Sequence, residues 1–289
     1  MSSIVTDKGI VHYETFGRGK PVVLLHCWLG SWNYWLSTME FLGERGYKTY
    51  ALDFWGFGES AKQGSFTASE YVLMVEQFME RMGLRSAYVM GHSMGGTVLM
   101  TLALTHPQRT LKVTVVGSPL VGSSLSLLLK LSGYQAFARL LYGVPGLLSA
   151  SIRVLSMTYA RDWRTLWQML RRDLSRTTVD SFSRSIRDLR EMDLRPRLPG
   201  CQAPAMGIYG RKDNIVDPDP GSCDVNRPDS RPREGRRQGT PRSGAEREPR
   251  GRKNYGLRHL RQRDGRLQGR EASGDQQRPR GGGDRLQGR

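Results

Sequence analysis

The sequence predicts an α/β fold on a doubly wound, mostly parallel sheet, and three observations predict it. Short apolar runs at residues 22–25, 47–52, 87–90 and 112–116 alternate with stretches of helical spacing. Strands covered on both faces by helices read in this way. The pattern breaks after Pro119 and resumes at 204–209, leaving a helical insertion between two parts of one sheet. The third observation is Gly91-His92-Ser93-Met94-Gly95, a sharp turn between an apolar strand and a helix-forming run from Met94 to Thr105.

Taken in order, residues 3–16 alternate weakly around Asp7-Lys8-Gly9 and predict a hairpin. The buried run 22–25 ends in His26-Cys27-Trp28-Leu29-Gly30-Ser31, and a helix follows over about 32–45, with Trp35, Met39 and Leu42 at helical spacing. The strand 47–52 ends at Asp53-Phe54-Trp55-Gly56-Phe57-Gly58-Glu59-Ser60. Thr67 is the N-cap of a helix reaching Met82, with Glu70 placed to complete a capping box. His106-Pro107 stops the helix that begins at Met94, and 112–116 is another buried strand. Amphipathic helical stretches follow, such as 162–170 and 179–189. The expected domains are a first core part at 1–119, a helical lid at 120–196, a second core part at 197–219 and a tail at 220–289.

The turn at Ser93 carries chemistry. A serine hydroxyl is a weak nucleophile and must meet a base and an oxyanion site together. A strand-to-helix elbow presents it so, at the cost of a strained backbone at Ser93. Gly91 and Gly95 leave room where a Cβ would clash. The helix start then aims its amides, Met94 among them, at developing negative charge.

With these residues in view the chain resembles the α/β-hydrolase fold superfamily, serine-nucleophile branch (esterases, lipases and haloperoxidase-like proteins), over about residues 3–217. Four landmarks stand in the family's order: His26–Ser31, Asp53–Ser60, Gly91–Gly95 and Gly210-Arg211-Lys212-Asp213. The resemblance implies a Ser–Asp–His triad with Ser93 as nucleophile and Asp213 as acid, Asp217 and Asp219 being alternatives. It implies an oxyanion hole from the backbone N–H groups of Trp28 and Met94. A serine at the elbow, in place of the aspartate of dehalogenases and epoxide hydrolases, implies acyl transfer on an ester or related carbonyl.

Two departures from the family stand out. Cys27 replaces a usual glycine; it either strains the oxyanion loop or is a harmless small side chain. The histidine is not evident: His12, His26, His92 and His106 precede the acid, and His259 follows it by 46 residues with no strand before it.

The formal net charge of +17 suggests a nucleic-acid binder, but its distribution argues otherwise. Residues 220–289 hold 19 Lys+Arg and 9 Asp+Glu, a net +10, and contain no Phe, Ile, Met or Trp. Such a segment buries too little apolar area to offset its ordering entropy and is expected to be disordered. Tyr255 is its one aromatic residue, which argues against nucleic-acid recognition beyond non-specific binding. A natural extension is a second reading. The favoured one is out-of-frame translation of a GC-rich gene, which gives Arg/Gly/Pro-rich text and fits the repeated Arg-Leu-Gln-Gly-Arg at 266–270 and 285–289. On that reading the family's last strand and its histidine are replaced, and strand 204–209 becomes an exposed edge.

Cys27, Cys201 and Cys223 form no disulfide framework and no metal spacing. No cofactor is called for. There is no apolar signal core and no run long enough to span a bilayer, so a cytoplasmic protein without a membrane partner is expected. The expected function is hydrolysis of a small, fairly apolar acyl substrate beneath the lid. The alternative is a hydrolase-like protein that cannot turn over, or a binding module with a basic tail.

Overall fold

The computed structural model describes residues 2–144, 146–159, 162–210, 213 and 215–216. Asp217, Asp219, His259 and the whole of the 220–289 tail lie outside them. The sheet has seven strands among the described residues, in the order β1-β2-β4-β3-β5-β6-β7. β1 (Ser2–Thr6) and β2 (Gly9–Gly17) form the hairpin, and β2 pairs antiparallel with β4 (Tyr47–Leu52). β3 (Lys20–Leu25), β4, β5 (Ala87–His92), β6 (Thr110–Val116) and β7 (Ala205–Ile208) are parallel.

The strand β3 shows why both faces are covered. Val22 and Leu24 point to one face, where they pack with Ala51 against Trp35 and Met39. Met39 belongs to the helix α1 (Leu36–Gly43), which a 3-10 turn at Trp32–Trp35 precedes. Val23 and Leu25 point to the other face, into the main core with Phe78 of α2 (Ala68–Arg81) and Leu99 of α3 (Met94–Thr105). Alternation within one strand therefore builds two hydrophobic layers.

The Thr67 hydroxyl accepts from the Glu70 amide at 3.3 Å, as an N-cap should. Glu70 does not close the reciprocal half of the box. Its carboxylate accepts from the Phe66 amide at 2.6 Å and pairs with Lys8. Phe66 has φ 61, so the chain curls back just before the cap and brings its own amide to the carboxylate.

Among the described residues between β6 and β7 lie five α-helices: α4 (Leu127–Ser132), α5 (Gln135–Gly143), α6 (Leu147–Tyr159), α7 (Trp163–Leu174) and α8 (Val179–Glu191). α7 is capped by Asp162, and α8 by a Thr178/Ser181 capping box. Ser181 also donates to the Gly56 carbonyl at 2.9 Å, and Ala68 donates to Asp188 at 2.7 Å, so α8 is tied to the sheet domain.

Candidate active site

Ser93 occupies the single residue between β5 and α3, with φ 52 and ψ −119. That left-handed region is costly for a residue with a Cβ. Three features hold it there. The Ser93 amide donates to the Val116 carbonyl at 2.8 Å, and the Ser93 carbonyl accepts from Gly96 and Thr97 at 3.0 and 3.2 Å. A Cβ on Gly91 would overlap the backbone of Gly95, and one on Gly95 would overlap the Leu25 carbonyl. Met94 opens α3, and the amide of a first helical residue has no partner within its helix.

The loop after β3 is fastened by His26 and Asp53. Phe54 N–H donates to His26 Nε2 at 3.1 Å, so Nδ1 carries the ring hydrogen and donates to the Cys27 carbonyl at 2.7 Å. Burial lowers the His26 pKa, and nearby Asp53 only partly opposes this. Asp53 accepts from Trp32 N–H at 2.7 Å and from Glu59 N–H at 2.9 Å. The positive φ in the loop falls on Leu29, at 59, and not on Cys27. The cysteine therefore imposes no left-handed strain. Burial pushes its thiol up to about 12, which leaves it neutral and poorly nucleophilic. Trp28 reaches across to the insertion: its Nε1 donates to the Phe182 carbonyl at 3.0 Å, and the two rings lie 4.5 Å apart.

Asp213 Oδ1 accepts from the Ile215 and Val216 amides at 2.9 and 3.0 Å. The place a Cβ would take on Gly117 lies 3.4 Å from Asp213 Oδ2 and 3.8 Å from His92 Nε2. Gly117 follows Val116, whose carbonyl holds Ser93, so serine, carboxylate and the His92 ring gather at one end of β5 and β6. Burial lowers the pKa of His92, with Asp213 opposing.

Ser93, Asp213, Trp28 and His92 all open on one cavity of about 660 Å³, under the insertion. Leu141, Leu148, Ile152, Leu170, Phe182 and Ile186 line it from above, so its wall is mostly apolar, with serines of the insertion such as Ser151 and Ser156 interspersed and His92, Ser93 and Asp213 below.

The other histidines are engaged elsewhere. His12 lies on β2, three strand positions from β5, near Glu14. His106 caps the far end of α3 and meets Glu76 at 3.1 Å. The placement of His92 beside Asp213 had no signal in the sequence, because it depends on where the acid loop lands. The same holds for Asp173 of α7. Its side chain is 1 % exposed against the Ser31 and Tyr34 region, and burial raises its carboxyl from 3.8 to about 6. Among the described residues no His/Cys/Asp/Glu group is placed to hold a metal ion, and no helix is long and apolar enough to cross a membrane.

Comparison with known proteins bears on the family and the fold. The alpha/beta hydrolase fold family matches residues 20–223. A pimeloyl-[acyl-carrier protein] methyl ester esterase from Vibrio vulnificus is 30 % identical over 224 residues, covering 71 % of this chain and 81 % of that protein. A 2-hydroxy-6-oxo-6-phenylhexa-2,4-dienoate hydrolase from Comamonas testosteroni is 25 % identical over 230 residues, covering 73 % and 78 %. The chain spans only 21 % of the rat bifunctional epoxide hydrolase 2, with which it shares 27 % identity over 114 residues. The enol-lactonase of Burkholderia xenovorans superimposes with a TM-score of 0.64 at 22 % identity, over 75 % of this chain and 84 % of that one. The sheet order is thus accompanied by a family match over residues 20–223, and the chain belongs to the α/β-hydrolase fold family.

Proposed function

We propose that the chain is a serine hydrolase for a small, fairly apolar ester or related acyl substrate. One observation carries the reading: Ser93, held at φ 52 before a helix N-terminus, opens with Asp213 on an apolar cavity. In this reading Ser93 Oγ attacks the carbonyl carbon while the oxyanion rests on the amides of Met94 and Trp28. The alcohol leaves, and water then releases the acid from Ser93. Asp213 orients the imidazole that takes the serine proton. The apolar wall and the Asp213 carboxylate favour a neutral acyl group over an anionic one. In this respect the methyl ester esterase is a nearer guide than the dienoate hydrolase.

The base decides between this and a second reading. Both nitrogens of His26 are engaged, His12 and His106 are turned to other partners, and His92 is adjacent in the chain to the serine it would have to serve. His259 lies outside the described residues. This distribution favours, as the second reading, a protein that holds an acyl ligand without turning it over. Turnover of p-nitrophenyl butyrate separates the two. The hydrolase reading expects Ser93→Ala to lose about a thousandfold or more in kcat/KM, with Asp213→Asn also strongly impaired. Equal rates in wild type and Ser93→Ala would leave the non-catalytic reading.

A further inference from the structure

The outward face of the helical insertion has properties the active site does not use. Eight of the eighteen large apolar side chains exposed among the described residues fall within 127–157. They follow the helices. On α6, Leu148, Ile152 and Ser156 face inward, while Leu147, Val154 and Met157 form an outer stripe at steps of seven and three residues. Val154 is 61 % exposed and Met157 54 %. On α5, Phe137 and Leu141 line the cavity, while Leu140 and, just past the helix end, Val144 lie outside, Leu140 at 57 %. On α4, Leu129 faces the cavity, and Leu127 and Leu131 face out, Leu127 at 73 %. α5 packs against both α4 and α6, so the three stripes belong to neighbouring helices.

The charge on this stretch has one sign. Between Glu80 and Asp162 the sequence contains no Asp or Glu. Arg139 and Arg153 are exposed beside the stripes, the Arg153 guanidinium lying 5.8 and 5.7 Å from the Trp163 and Trp167 ring centroids, and Lys130, at the end of α4, donates to the Ser123 carbonyl at 2.8 Å. Exposed leucines interleaved with cations are the composition of helices that lie in the plane of a lipid interface and are drawn to anionic headgroups.

We propose that α4–α6 dock this face on the surface of an anionic lipid bilayer. Leu127, Leu140, Val154 and Met157 enter the boundary between headgroups and acyl chains, and Arg139 and Arg153 meet lipid phosphates. The inward faces of the same helices line the cavity, so docking sets the roof of the substrate site against a source of apolar acyl compounds. No spanning segment is needed. The proposal departs from the sequence-based expectation of no membrane partner, and it does not depend on whether Ser93 turns over.

The test is co-sedimentation of the full chain with extruded vesicles of phosphatidylcholine and phosphatidylglycerol in equal parts, and with phosphatidylcholine alone. Wild type is expected to sediment with the anionic vesicles. Leu140→Glu/Val154→Glu is expected to weaken that binding about tenfold or more, whereas Phe41→Glu on α1 changes it by less than about twofold. Leu140→Gln/Val154→Gln, without added charge, is the companion variant should the glutamates lower the melting temperature, and it is expected to weaken binding in the same direction. Three results would overturn the proposal. One is no sedimentation of wild type. Another is equal binding by wild type and both double variants, which would assign the binding to the Arg-rich residues 220–289. The last is a wild-type dimer in gel filtration, broken by the double variants and without vesicle binding, which would assign the face to a second copy of this chain.

Discussion

Ser93 and Asp173 show two ways in which a residue is kept where its own preference would not put it. Ser93 holds φ 52 because the Val116 carbonyl and the first turn of α3 fix its backbone from both sides. Asp173 is a carboxyl taken out of water, with Arg172 Nε 3.7 Å from its Oδ1 and no hydrogen-bond partner for that oxygen among the described residues. Burial raises its pKa from 3.8 to about 6, opposed by Ser31, Arg172 and Arg176. The folded state therefore binds this proton more tightly than the unfolded chain. Its contribution is fully present below pH 3.8 and is lost as pH rises through about 6. Asp173→Asn cannot ionise, so thermal melts at pH 8 should give a Tm above wild type by about 2–4 °C or more, and the two curves should converge near about pH 4. A constant gap at both pH values would mean that ionisation is not what separates them. Cys27 is the contrasting case: its backbone is unstrained and its thiol is held neutral, so the departure from the family's glycine costs the loop nothing in φ.

At the scale of elements, the crossing from β5 to α3 is closely packed on both sides. Gly95 lies against the Leu25 and His26 carbonyls, which belong to the neighbouring strand and its loop and cannot swing aside. Gly95→Ala should therefore destabilise the protein by about 3 kcal/mol or more, read as a lower urea midpoint at unchanged slope. Stability within about 0.5 kcal/mol of wild type would mean that the elbow can spread. This element was legible in the sequence to the residue, as was β4, because an apolar run bounded by Gly or by His106-Pro107 leaves little choice of ends. Ser93, Asp213 and Trp28 were nameable as candidates for a different reason: each follows a strand in the order the family resemblance implies, and the structure brings the three to one cavity. α4 to α6 were not resolved as separate helices. Their cavity face and their outer face are both apolar, so the 3.6-residue period that marks a half-buried helix is blurred. The approach of Asp173 to Ser31 and Tyr34 was hidden as well, since local periodicity carries no information about which turn of a distant helix meets a loop. Glu70 was misread in part: the spacing fits a capping box, but the curl at Phe66 diverts its carboxylate.

At the scale of the molecule, the sheet supplies rigid strand ends and the insertion supplies the apolar roof, and the cavity exists only where the two meet. Trp28, hydrogen-bonded to Phe182, and Ser181, hydrogen-bonded to Gly56, are among the ties that keep that roof in place. The other end of the sheet is less protected. Among the described residues no strand pairs the outer side of β7, and Met206 and Ile208 are exposed there. Exposed apolar side chains on an outer strand invite pairing with another chain. Ile208→Lys should accordingly slow the rise of light scattering on mild heating while leaving Tm within about 2 °C of wild type; scattering as fast as in wild type would place the sticky surface elsewhere. The crossing at Ser93, the loop carrying Asp213 and the cavity all bear on the proposal that Ser93 is a nucleophile presented to an acyl group. Mass spectrometry after exposure to a fluorophosphonate probe tests it directly. The account predicts one adduct, on the peptide containing Ser93, absent from Ser93→Ala and slowed in Asp213→Asn. An unmodified Ser93 after prolonged exposure, or an equal adduct in Ser93→Ala, would contradict it.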